Sequence, residues 1–545
     1  MELLVEDADI VTMASGAATG PTREPARCLL VRDGRIAAVG PAGPVRAAAG
    51  PDARVVRLDG ATVLPGLIDA HCHVSDVGYL AAGADCRQPS APDIPAIQAR
   101  LREAAGRTPP GAWVTGSGYV EYQLREGRHP TRAELDVAVP DRPAVLYHTS
   151  LHACVLNSAA LAEAGFADGQ PDPPGGAFGR DATGRLDGVL FEGPMFALFE
   201  RNFRADLARM SAAQRAGLMQ GAGQHFAALG VTAACDADVR RDTLTAFAEA
   251  DEHGALPMRI YGLVVHDQVD WLLESGLRGR HSDRLTADAV KIWADGGMSS
   301  RTAAIHGSYP VAPFGSGILS FSRDELTGMV GDFAARGFQV CVHAQGDRAI
   351  ETVLEAYATV LGKADGPGGN ARRHRIEHAG AMYPALTARA AQLGIVVASQ
   401  PGFLSTLGDG FAAAFPQACD QLYAFASWRQ AGIPVAGSSD APVITASPLT
   451  GIRDAVLRRT AAGQVLGPGE RVTARDALDM YTRAAAFAMH REGEIGSLEP
   501  GKLADFVVLD ASPLAVDPER IADIQVLATV LGGTPVSQAS GVFGG

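Results

Sequence analysis

Eight short apolar runs alternate with amphipathic stretches through the middle of the chain, and residues of metal-ligand type fall at the ends of several of those runs. Both chain ends hold further strand-like pieces and turn signals. Together these observations predict an α/β fold: a (β/α)8 barrel, a composite β-sandwich built from both ends, and an insertion after the first barrel strand. The expected bounds are 1–62 and 485–545 for the β-sandwich, 63–78 and 201–484 for the barrel, and 79–200 for the insertion.

Taken in order, residues 1–60 carry short apolar runs such as Cys28–Val31 and Ile36–Val39, with Asp33-Gly34 between them as a hairpin signal. The first barrel strand runs into His71. The next seven are expected at Val231–Asp236, Met258–Val265, Ala289–Ala294, Phe338–His343, His374–His378, Ile395–Ser399 and Ile433–Ser438. Amphipathic stretches lie between them, for example Ser211–Leu229 and the one opened by the capping box Ser322-Arg323-Asp324-Glu325. A doubly wound sheet is the alternative, but no Gly-rich phosphate fingerprint follows the first strand. Residues 79–200 break the rhythm, with turn-rich pieces such as Gln170–Gly176, and are long enough for a lid or subdomain over the barrel mouth. Near the C-terminal end, Gly496–Asp510 reads as a turn followed by a strand.

Composition narrows the classes. The chain has 545 residues, 47% apolar and 20% charged, enough for a large core and accessory domains. A net charge of −14 without any Lys/Arg run argues against a nucleic-acid partner. No apolar stretch is long enough to span a membrane, and the N-terminus lacks the pattern of a signal peptide. The seven cysteines are scattered, without CxxC pairs, as expected of thiols in a reducing compartment, so a cytoplasmic location is expected. A homodimer is left open, since no segment identifies an interface.

The chemistry concentrates at the strand ends. His71 and His73 lie two apart, so in a strand both imidazoles face the same way, which makes half of a metal site. In a barrel the active site sits at the C-terminal strand ends, where Lys291, His343, His378 and Asp440 also fall. Any one alone has a plainer role: a core histidine for His343, a hydrogen bond to its neighbour Glu377 for His378, a cap for Asp440. Taken together they specify a site for a divalent metal, zinc above all, with manganese, iron or nickel as alternatives. Of 47 basic residues only three are lysines; Lys363 and Lys502 lie in Gly-rich segments, whereas Lys291 lies inside an apolar strand. An ammonium has no lone pair to ligate with, but its carbamate, formed with carbon dioxide, could bridge two metals, which arginine cannot do. Asp440 is placed to take a proton from water and deliver it to a leaving group.

These motifs resemble those of the amidohydrolase superfamily, in the branch called amidohydrolase 3 or YtcJ-like, which includes N-substituted formamide deformylases. The resemblance runs nearly end to end. It rests on Pro65-Gly66-Leu67-Ile68-Asp69-Ala70-His71-Cys72-His73, on Lys291 with Asp295-Gly296-Gly297, on His343-Ala344-Gln345-Gly346-Asp347, on Arg375-Ile376-Glu377-His378 and on Gly437-Ser438-Ser439-Asp440-Ala441-Pro442. It implies His71, His73, His343 and His378 as metal ligands, Lys291 as a carboxylated bridge, Asp440 as ligand and base, and one or two metals per chain. Cys72 departs from the family's usual small residue at the centre of its His-x-His motif, and alternation points it away from the metals. The implied activity is hydrolysis of amide-type C–N bonds in a small molecule. A non-hydrolytic reaction at the same centre (hydration, isomerisation or decarboxylation) and a non-catalytic metal-binding role remain as alternatives. Candidate substrate contacts are His152, Glu192, Met298 and Arg301, with Trp113, Tyr119 and Tyr122 as candidate lid residues.

Overall fold

The computed structural model describes residues 2–14, 25–173, 175–309, 315–362 and 369–543; Lys363 lies outside them. Eight parallel strands form a nearly closed barrel: β1 (Leu67–Cys72), β2 (Val231–Val239), β3 (Arg259–Val265), β4 (Leu285–Trp293), β5 (Gln339–Ala344), β6 (Arg375–His378), β7 (Val396–Ser399) and β8 (Val435–Gly437). These are the eight expected strands. The largest difference in extent is at β4, which begins four residues earlier than the apolar run suggests. There Thr286 and Ala287 pair with Arg280 and Gly279, and this local hairpin carries the polar Asp288 within the strand.

Alternation divides each strand between two cores. Ala289 of β4 and Cys341 of β5 join a cluster of small residues with Ala233, Ala398 and Ala436, while Val290, Ile292, Val340 and Val342 belong to the large cluster formed with the helices. Lys291 and His343 share the parity of Ala289 and Cys341, which turns them inward at the strand ends.

Outside the barrel, Cys28–Arg32 and Arg35–Gly40 form a hairpin whose two-residue turn, Asp33-Gly34, has positive φ at both positions, as the sequence signal requires. This hairpin belongs to a four-stranded sheet with Glu2–Glu6 and Arg54–Arg57. A five-stranded sheet joins the two ends of the chain, with Thr62–Pro65 antiparallel to Phe506–Leu509. The two sheets share one core, in which Val5, Val31 and Ile36 meet Val63, Phe506 and Val508. Strand Phe506–Leu509 buries Phe506 and Val508 there and turns Val507 and Leu509 into the barrel's helical layer.

Residues between Ala84 and Glu192 build a six-stranded sheet with the Ile94–Arg107 and Arg132–Ala138 helices packed on one face and the Ser158–Ala164 helix on the other. The Gly193–Arg209 helix leads from this sheet back to the barrel. Among the described residues no helix is long and apolar enough to cross a membrane.

Candidate metal centre

The loop after β8 is tied to the end of β1 by its backbone. Asp440 N–H donates to the His71 carbonyl at 2.8 Å, and His73 N–H donates to that of Ala441 at 2.8 Å. Buried Asp69 accepts from Ser439 N–H at 3.0 Å and from the Ser439 hydroxyl. Asp440 and His378 both hold a positive φ, which turns their side chains off the strand ends.

Each histidine has one ring nitrogen committed to a partner. His71 Nδ1 is hydrogen-bonded to Glu377, whose two oxygens also take Arg375 Nε and a terminal nitrogen at 2.7 and 2.6 Å. Burial raises the Glu377 carboxyl, but Arg375 and His71 pull it well below the usual carboxylate range. Glu377 is therefore an anion and accepts the proton of His71 Nδ1. His378 Nδ1 bonds Gln400 Oε1 at 2.8 Å, and Gln400 is oriented in turn by the Ser438 hydroxyl at 2.9 Å. His343 Nε2 faces the Gly296 carbonyl at 3.2 Å, which leaves Nδ1 with the lone pair. His73 Nε2 lies 3.1 Å from Asp440 Oδ1, and its Nδ1 is buried without a hydrogen-bond partner.

Three of these groups converge. Ligand atoms of His71, His378 and Asp440 lie within 4.8 Å of one another, and the His343 and His378 ring centroids are 4.5 Å apart. Asp440 Oδ1 sits 3.4 Å from His71 Nε2, and burial of Asp440 is outweighed by hydrogen bonds from His71 and His73 that hold its carboxyl well below the usual range. Lys291 is fully buried, its Nζ 3.3 Å from His71 Nε2, and burial lowers its amine. Imidazole lone pairs and a carboxylate facing one point repel one another unless a cation lies between them, so this donor set fits a divalent metal.

His71, His73, Lys291, His343, His378 and Asp440 all line one cavity. His152 lines it too. Its Nδ1 bonds Glu192 Oε2 at 2.9 Å, and its ring lies 5.5 Å from that of His343. Glu192 stands behind His152 with its Oε1 buried and unpaired, on a backbone of φ 56°. Gly296 is needed beneath it: a Cβ there would come within 2.5 Å of Glu192 Oε1. Met298 and Arg301 are not among the lining residues. The loop folds back through Thr302 N–H to the Gly297 carbonyl, and Met298 packs in the core with its sulfur 4.0 Å from the Tyr423 hydroxyl. Trp113, Tyr119 and Tyr122 also lie away from the cavity, bonded to Glu163, His129 and the Leu407 carbonyl respectively. Cys72 is buried against the Cys235 carbonyl, outside the lining.

Sequence reasoning missed the apolar wall: Leu151, Met195, Phe196, Phe199, Trp293 and Val443. The signal lay in Phe196, Phe199 and Phe203, spaced as one face of the Gly193–Arg209 helix. An adjoining cavity, lined by Phe203, Arg204 and Arg240, shares Asp76, Phe196, Phe199 and Asp238 with the first.

A barrel mouth lined by residues that could hold a metal ion suggests the class, and likeness to known proteins gives the family. Residues 54–537 match the amidohydrolase family. An N-substituted formamide deformylase of Arthrobacter pascens is 33% identical over 93% of this chain and 94% of its own length. The YtcJ protein of Bacillus subtilis is 30% identical over 90% and 92%. The crystal structure of an uncharacterized metal-dependent hydrolase from Pyrococcus furiosus superposes with a TM-score of 0.72 at 25% identity, covering 94% of this chain and all of that one. The chain belongs to the amidohydrolase family and is a metal-dependent hydrolase of carbon–nitrogen bonds.

Proposed function

We propose that the enzyme hydrolyses the C–N bond of small secondary amides with an apolar nitrogen substituent, N-substituted formamides foremost. The observation that carries this is one cavity holding both the facing donors of His71, His378 and Asp440 and an apolar wall of Phe196, Phe199 and Trp293. The likeness to a formamide deformylase over most of the chain supports the acyl group. His71, His73, His343, His378 and Asp440, with Lys291 as a carbamate ligand should two ions bind, would hold a divalent cation, zinc foremost, which would polarise the substrate carbonyl and lower the pKa of water to roughly 7.

The chain's own residues do the rest. Asp440, held as a carboxylate by His71 and His73, takes the proton of the attacking water and passes it to the departing amine nitrogen. His152, steadied by Glu192, presents Nε2 to the substrate carbonyl. Phe196 and Phe199 hold the apolar substituent and keep bulk water from the reacting bond. The seven cysteines, all unpaired, suit a cytoplasmic enzyme.

The test is product analysis on protein loaded with zinc, manganese or nickel and offered N-alkyl and N-arylalkyl formamides. Equal release of amine and formate, lost to a chelator and restored by metal, is the expected result. Absence of amine with every metal sinks the reading.

A further inference from the structure

A second hydrogen-bonded chain reaches the same cavity from the insertion, and its proton inventory is fixed by geometry. Glu121 Oε2 lies 3.0 Å from His148 Nε2, and His148 Nδ1 lies 2.8 Å from Ser150 Oγ. Ser150 is among the cavity-lining residues, whereas Glu121 and His148 are not. Ser150's own backbone N–H points at His148 Nδ1 at 3.2 Å, so that nitrogen is an acceptor and carries no proton. The ring proton therefore sits on Nε2 and is donated to Glu121. Glu121 accepts as an anion: burial raises its carboxyl, but the hydrogen bond from His148 is the largest of the influences that outweigh this and lower it.

It follows that the Ser150 hydroxyl proton is spent on His148. One of the two Oγ lone pairs accepts the His152 backbone N–H at 3.1 Å, which leaves one lone pair and no donor. Thr149 Oγ1 donates to the Val443 carbonyl at 2.7 Å and pins this segment over the loop that carries Asp440. Leu151, next along, holds a φ of 55°, a strained backbone that fixes the segment's path.

We propose that Ser150 is an acceptor-only contact for the substrate amide N–H, and that Glu121 and His148 are positioning residues that enforce its polarity. The inference rests on the amide reading above and sharpens it. The enzyme selects amides that carry an N–H and rejects their N,N-disubstituted counterparts, which leave the Ser150 lone pair buried and unmatched.

The experiment compares N-(2-phenylethyl)formamide with its N-methyl counterpart. Binding is measured by calorimetry on metal-loaded protein carrying Asp440→Asn, so that affinity is read without turnover, and initial rates are measured on the metal-loaded enzyme. The secondary amide is expected to bind about tenfold more tightly, the worth of one well-made hydrogen bond. Ser150→Ala and Ser150→Cys, the second nearly isosteric but a weak acceptor, should each bring the two affinities to near parity by weakening the secondary amide. Equal affinities with Ser150 present, a preference unchanged by both substitutions, or binding of neither amide would overturn the proposal. A Ser150-dependent preference without amine release by the enzyme would leave the Ser150 contact standing and sink the hydrolytic assignment instead.

Discussion

Arg259 and Asp505 form a buried two-point ion pair, Nε and a terminal nitrogen lying 2.7 and 2.8 Å from the two carboxylate oxygens. Arg259 opens β3 of the barrel and Asp505 precedes the sandwich strand Phe506–Leu509, so the pair crosses between the two cores. Asp505 also accepts the Gly532 N–H at 2.8 Å. Removing one charge strands the other away from water. We expect Arg259→Met or Asp505→Asn to cost about 3–5 kcal/mol in denaturant unfolding. The double variant Arg259→Met with Asp505→Leu should cost less than either alone, and equal or greater loss would show that the pair is not the cause.

Glu377 fixes the ring of His71, a proposed metal ligand, by a hydrogen bond to its Nδ1. Glu377→Gln should leave His71 free to change tautomer and lower metal affinity about 10–100-fold, read by titrating bound metal against a competing chelator. Unchanged affinity would remove Glu377 from the centre's support.

Lys291→Ala should lose bound metal and activity together, and Lys291→Arg should not restore them, because a guanidinium forms no carbamate. Asp440→Asn should instead lower kcat by about 10²–10⁴-fold while retaining more metal than Lys291→Ala. Elemental analysis beside initial rates separates the two, and full activity in either variant would end its assigned role.

His374 gives the fold a pH dependence remote from the reacting bond. Burial and the nearby Arg372 and His490 lower it from 6.5 to about 4, and its Nδ1 accepts the Val340 N–H at 3.0 Å. Between those values the unfolded chain binds the extra proton, so stability rises with pH across the window. The contribution is fully present above about 6.5 and is lost as pH falls toward about 4. Urea midpoints from pH 7 to 4.5 should show this slope, and His374→Asn, which keeps an acceptor for Val340, should flatten it.

The barrel was legible because each of its strands is a compact apolar run, and because ligand-type residues end β1, β4, β5 and β6. Contacts that join distant segments were not. Glu377 reads in sequence as the neighbour of His378, yet it bonds His71 from across the barrel, and His378 turns to Gln400 instead. Phe196 and Phe199 read as one face of an ordinary amphipathic helix, since nothing local says that this face closes over a cavity. Met298 and Arg301 follow the Gly296-Gly297 pair closely in sequence, but the return bond from Thr302 to Gly297 folds that segment away from the lining.

The pairing of Val63 with Val508 also sets a clock. Synthesis at about 5–20 residues per second leaves strand Thr62–Pro65 waiting on the order of tens of seconds for the strand it lies beside. Until then the apolar side chains of the early strands lack half of their cover, and the helices that Val507 and Leu509 seal are open as well. A nascent chain of this protein therefore carries sticky, unfinished sheet edges through most of its time on the ribosome. Slowed translation or premature release should favour aggregation over a soluble barrel.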